Sequence, residues 1–151
     1  MNNDNVNHPK HYTSHPSGIE CIEITRHHCF SIGNAIKYLW RAGLKDDSSL
    51  SSKEKEIEDL EKAIWYINDR LNYITHLPET NSIIRYTQHP SKYCIVDITG
   101  CFVLSIAKAL ENLFLTGLSS DQYVDVKTEQ YCLYRAIENI SERIKTLKTK
   151  N

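Results

Sequence analysis

The sequence predicts an all-α fold made of two tandem copies of one three-helix unit, packed as a pseudo-dimer. An internal repeat, amphipathic helices at matching places in both copies, and a shortage of helix breakers carry that expectation. HYTSHPSGIECIEIT at 11–25 aligns with RYTQHPSKYCIVDIT at 85–99. The spacing of 74 residues holds without a gap through SIGNAIKYLWRAGL (31–44) and SIAKALENLFLTGL (105–118). One residue is then lost, and EDLEKAIWYINDRL (58–71) matches YCLYRAIENISERI (131–144). A period of this kind is the signature of a duplicated structural unit. With 5 Gly and 4 Pro in 151 residues, little interrupts the helical segments.

Each copy reads the same way. An extended lead ends at His15-Pro16 or His89-Pro90, because a residue before proline avoids the helical region. A short apolar segment follows at about 19–28 and 93–102; it is expected to be a helix, although its Ile and Val content also suits a strand. A helix is predicted over about 30–42 and 104–116, with Gly43 or Gly117 where a left-handed cap would sit. A Ser/Asp loop leads to a long helix over about 52–73 and 127–147, begun in the first copy by the capping-box pair Ser51 and Glu54. The boundaries are therefore 1–73 for the first repeat, 74–84 for a linker and 85–151 for the second.

The bulk numbers narrow the function. A formal net charge of −1 gives no broad attraction to nucleic acid or to an anionic membrane, so an anion site must come from local clustering. No apolar run approaches the roughly 20 residues of a transmembrane helix, and MNNDNVNHPKHY does not read as a secretion signal. Five cysteines without a C-x-x-C pair are expected to be reduced and mostly buried. Cytoplasmic residence is the expectation.

Helical spacing separates core from candidate site. Ile32, Ile36 and Leu39 share one face of the first copy's middle helix, and Leu60, Ala63, Ile64, Ile67 and Leu71 share one face of its long helix. The opposite stripes carry Asn34, Lys37, Tyr38 and Arg41, then Glu58, Lys62 and Trp65; Lys45 extends the first stripe beyond Gly43. A polar stripe usually faces water and does nothing else. Here the second copy is an internal control. Core positions persist as Ile106, Leu110, Leu113, Leu133 and Ile140, whereas Lys37 becomes Glu111, Tyr38 becomes Asn112, Arg41 becomes Leu115 and Trp65 becomes Glu138. The fold does not need those side chains.

Their chemistry suits a small phosphorylated nucleotide. Lys37, Arg41 and Lys45 offer positive charge to phosphate, Tyr38 and Trp65 offer stacking surface to a base, and Asn34 can read a base or ribose edge. Lys10, His11 and Tyr12 in the lead are placed to close over the site. Binding of that kind needs no cofactor. His8, His11 and His15 have ligand-like spacing, but two prolines break the segment, and His15 recurs as His89, which suits a structural turn. No metal site is expected there. Glu58-x-x-Glu61 is only a fragment of a magnesium-binding carboxylate helix, and no phosphate loop occurs.

The strings VNHPKHY (6–12), GIECIEI (18–24), GNAIKYLWRAGLK (33–45) and EDLEKAIWYINDRL (58–71) resemble a domain family of unknown function widespread in tailed phages. That family includes a nucleotide kinase of T-odd coliphages that lacks a phosphate loop. The resemblance covers about residues 6–72 and implies a phage origin and a nucleotide-handling site. Its typical positions fall here on His11, Tyr12, Glu20, Asn34, Lys37, Tyr38, Arg41, Lys45, Asp59, Lys62 and Tyr66. The expected function is capture of a nucleotide or nucleotide-derived signal, to counter host defence. A nucleoside monophosphate kinase, which would use ATP and magnesium, is the alternative; a protein-interaction module ranks third. No membrane or extended nucleic-acid partner is expected, and a homo-oligomer is compatible with the sequence.

Overall fold

Each half of the chain enters its first helix through the same histidine-centred turn. Ser17 N–H and the Ser17 hydroxyl both reach Nδ1 of His15 (3.2 and 2.5 Å), and Gly18 N–H donates to the His15 carbonyl. Ser91 and Lys92 repeat those bonds on His89. Gly18 and Lys92 both take left-handed backbone, φ +72° and +66°. The computed structural model describes residues 15–44, 51–77, 89–118 and 125–149. The chain is mostly helical, with no strand among the described residues.

Among the described residues six helices follow in order: α1 (Cys21–Thr25), α2 (Phe30–Arg41), α3 (Ser52–Thr75), α4 (Ile95–Thr99), α5 (Leu104–Leu113) and α6 (Val126–Thr149). The segment left open between helix and strand is helical, but shorter than expected. Its start is set by Glu20, whose N–H bonds the Glu23 carboxylate, and its end by the turn that carries His28 into a single antiparallel bridge with Leu118. The capping box is present: Glu54 N–H donates to Ser51 Oγ, and Ser51 N–H donates to Glu54 Oε2. Asp125 caps α6 by accepting from Thr128 N–H. Gly43, just past the Ala42 cap of α2, has φ +77° and is the left-handed end expected there. Gly117 is also left-handed, φ +59°, but α5 ends sooner than expected, at Leu113, where Phe114 caps it in right-handed backbone. The long helix runs on to Thr75 because Ile74 is fully buried in the core, taking two residues from the expected linker.

The predicted stripes form the core. Ile32, Ala35, Leu39, Leu60, Ala63 and Ile67 are buried, as are Ile106, Ala109, Leu113, Leu133, Ala136 and Ile140 from the second half. α2 packs on α3, α5 packs on α6, and α3 packs on α6 to join the two pairs. The cysteines are free thiols but less buried than expected: Cys94 and Cys101 are exposed, since they flank the short α4 rather than facing the core. Among the described residues no helix is long and apolar enough to cross a membrane.

Polar contacts between the halves are reciprocal. Arg70 on α3 makes a forked pair with Glu129 on α6 (2.8 and 3.2 Å), and Arg143 on α6 reaches Glu56 on α3 (2.8 Å). Both carboxylates are buried. At the other end of the seam, Cys29 N–H donates to the Gly117 carbonyl, and His28 Nδ1–H donates to the Thr116 carbonyl at 2.8 Å. Because the Ser91 amide occupies Nδ1 of His89, the proton of His89 sits on Nε2 and is donated to Nε2 of His28 at 3.1 Å. The matching place around His15 holds Phe102 instead of a second imidazole, with ring centroids 5.0 Å apart. Burial lowers the pKa of His15, and the Ile98 backbone nearby opposes this without completing a hydrogen bond to Nε2.

Burial holds His28 down to about 4 and His89 down to about 3, with the two rings and His27 discouraging a further positive charge. A histidine whose folded pKa lies below the ordinary 6.5 binds its proton more readily in the unfolded chain, so its stabilising effect is complete above pH 6.5 and is lost as pH falls toward 4. Thermal melts are expected to show Tm falling across that window. His28→Phe, which copies Phe102, removes one of the three histidines whose pKa is lowered and is expected to flatten the slope. A slope as steep as the wild type's would assign the pH dependence to other residues.

Candidate functional site

The first half's polar stripes meet between α2 and α3. Arg41, near the C-terminal end of α2, is buried, and its guanidinium forks onto Asp59 of α3: Nε to Oδ2 at 3.1 Å and Nη2 to Oδ1 at 2.7 Å. Asp59 is fully buried. The sequence places Arg41 on a face available to phosphate; α3 covers that face, and Arg41 is the counter-charge of Asp59. Two parallel charge-assisted bonds are the arrangement that makes a buried carboxylate tolerable.

Around this pair the other candidates form one network. Lys37 Nζ donates to Asn34 Oδ1 at 2.7 Å, while Asn34 Nδ2 donates to the Phe30 carbonyl. Burial, then the neighbouring Arg41 charge, lowers the pKa of Lys37. Tyr38 lies among cations: Arg41 Cζ is 4.5 Å from its ring centre, Lys37 Nζ 4.9 Å and Lys62 Nζ 5.8 Å. Tyr38 stacks on Tyr66 at 5.7 Å and 19°. Trp65 and Phe30 meet Tyr66 edge-on at 4.9 and 5.9 Å, and both remain largely exposed. Glu58 accepts from Lys55 (2.5 Å) and from Lys62, and these two hydrogen bonds hold its carboxyl down to about 2. The bond to Glu58 in turn raises the pKa of Lys55.

Asn34, Lys37, Tyr38, Arg41, Glu58 and Lys62 are thus in one patch, with Trp65 at its edge beyond Tyr66. Lys10, His11, Tyr12 and Lys45 lie outside the described residues. Glu20 is at the start of α1, where it opens the helix. Lys55 is the member that sequence reasoning missed. Its spacing from Glu58 was a usable signal, but a buried lysine at the start of a long charged helix looks like solvated surface until α2 is laid across it. The patch carries four cations, Lys37, Arg41, Lys55 and Lys62, against two carboxylates.

The second half has no counterpart. Arg41 and Asp59 are replaced by Leu115 and Cys132, Lys55 by Thr128, Glu58 by Tyr131 and Tyr66 by Asn139. Asn139 turns back to bond the Arg135 carbonyl, and Arg135 pairs with Glu138 on its own helix. The apolar packing beneath is kept.

Residues 6–68 match a family model described as a protein of unknown function (DUF3310). That span takes in α1, α2 and most of α3, hence every described member of the network, and excludes the second half. No curated protein and no solved structure matches the chain.

Arg41→Leu is expected to destabilise the protein by about 3–5 kcal/mol, because it strands a buried carboxylate. The double variant Arg41→Leu/Asp59→Cys installs the pair found at Leu115 and Cys132 and is expected to recover to within about 1 kcal/mol of wild type. Denaturant titration of both measures this. Additive losses would mean that the two side chains act independently.

Proposed function

We propose that the chain binds a small phosphorylated nucleotide, or a signal built from one, at the α2–α3 face of its first half. The observation that carries this reading is the network itself: four cations and a group of partly exposed aromatics, held by a buried ion pair, of which the second half keeps one cation, Arg135 in place of Lys62, and no aromatic. Positive charge beside stacking surface is the combination that recognises a nucleotide. Lys37 and Lys62, both partly exposed, are the phosphate-facing cations; Arg41 positions Tyr38 and balances Asp59.

The two carboxylates favour capture over phosphoryl transfer. Glu58 is held by two lysines and Asp59 by both arms of Arg41, so a magnesium–nucleotide would have to displace these partners to find ligands. A monophosphate kinase working with ATP is therefore the second reading. The halves are read as a duplicated pseudo-dimer, supported by the reciprocal pairs Arg70–Glu129 and Arg143–Glu56. The resemblance to tailed-phage domains supports a role in sequestering a host nucleotide signal in the infected cell's cytoplasm.

A thermal-shift and calorimetric panel of nucleoside monophosphates, ATP, cyclic nucleotides and ADP-ribose tests the reading. At least one is expected to bind, with Lys37→Ala and Lys62→Ala each lowering affinity roughly tenfold. Lys108→Ala and Arg135→Ala in the second half are expected to leave it unchanged. Turnover of ATP with a monophosphate acceptor would favour the kinase, and silence across the panel would end the nucleotide reading.

A further inference from the structure

Beside the network, where α1 turns into α2, lies an open pocket of about 210 Å³. Ile22 and Phe30 form apolar walls, and Arg26, Asn34 and Lys37 carry its polar side. Lys37 and Asn34 belong to the network as well, so pocket and cation patch are continuous. Phe30 leaves 75% of its surface exposed and Ile22 52%. Large apolar side chains held at that exposure beside a concave surface are what a flat heteroaromatic ring uses. Arg26 is fixed along the end of α1 by its Nε–H bond to the Ile22 carbonyl at 3.1 Å.

The duplicated half separates what this pocket needs from what the fold needs. The apolar walls persist there, with Val96 for Ile22 and Leu104 for Phe30, also exposed. The polar side does not: Arg26 becomes Gly100, Asn34 becomes Lys108 and Lys37 becomes Glu111. Gly33, in the pocket lining, becomes Ala107. A methyl group at Gly33 would stand 3.1 Å from the Thr25 carbonyl oxygen, so the first half keeps α1 and α2 closer than an alanine allows without adjustment. Two cations and a glycine are therefore present only where the network is also present.

We infer that this pocket is the base subsite of the nucleotide site. The base lies between Ile22 and Phe30 over Gly33, Asn34 meets its polar edge, and the phosphate extends past Lys37 toward Lys62. This rests on the nucleotide reading above and adds to it where the base goes. Charge complementarity fixes the occupant's polarity: the pocket's open rim carries Arg26 and Lys37, so the part of the ligand leaving it is anionic.

The test compares nucleoside 5′-monophosphates with ribose 5-phosphate, which keeps the phosphate and lacks the base. Wild type is expected to bind its preferred monophosphate at least tenfold more tightly than ribose 5-phosphate. Phe30→Ala and Gly33→Ala are each expected to erase about tenfold of that preference while leaving ribose 5-phosphate affinity unchanged. Phe30 is a surface side chain, so Phe30→Ala decides the matter if Gly33→Ala loses its cooperative melt. Equal wild-type affinity for the two probes, or an undiminished preference in Phe30→Ala, overturns the subsite and leaves the nucleotide reading standing. Silence of the wild type across nucleoside monophosphates, ATP, cyclic nucleotides and ADP-ribose overturns both.

Discussion

Asp59 is a fully buried carboxylate on a helix that could have carried an apolar residue there, and its burial constrains the whole polar face of the first half. A charge in that position must be matched at short range, and Arg41 matches it with both arms of its guanidinium. Arg41 in turn lies against the Tyr38 ring, which stacks on Tyr66. Fixing one ion therefore fixes two aromatic planes and the spacing of α2 against α3. The energetic logic is one of position: a buried pair adds little stability relative to well-packed apolar residues.

Much of this was legible in the sequence. The repeat located the helices, the Ser51–Glu54 pair located the start of α3, and the left-handed Gly43 located the end of α2, whereas α5 stops short of Gly117. Lys37, Tyr38 and Arg41 were recognisable because the second copy discards them while keeping the core, whereas Lys62 keeps its charge there as Arg135. What the sequence did not disclose was the burial of Arg41. A helical wheel assigns an angle to a residue, and only the neighbouring helix decides whether that angle meets water. The burial of Asp59, a residue the family resemblance singles out, was hidden for the same reason, since it sits beside Leu60 and reads as the edge of a charged stripe. Lys55 lies a full helical turn before the recognisable motif. The role of His28 was also out of reach, because its partners at Thr116 and His89 come from the other half of the chain.

The seam between the halves adds a second kind of asymmetry. Two histidine turns with the same backbone bonds face different neighbours, an imidazole in one case and a phenyl ring in the other. The His28–His89 contact is a directed hydrogen-bond relay from the Ser91 amide to the Thr116 carbonyl, and it requires both rings to be neutral. The seam at Phe102 has no such requirement. One end of the interface thus couples two titrating rings, and the corresponding end holds one, His15, beside Phe102.

The reciprocal arginine–glutamate pairs have a further consequence. α3 presents one side to α2, where the candidate site lies, and another to α6, where Glu129 and Arg143 complete its charges. The half without a site of its own is therefore not ballast. It is at liberty to change wherever it meets water, as its lost cations attest, yet it is bound at each position where it touches α3. A mutation at Glu129 would be remote from any ligand and would still be felt through the helix that holds Glu58, Asp59 and Lys62.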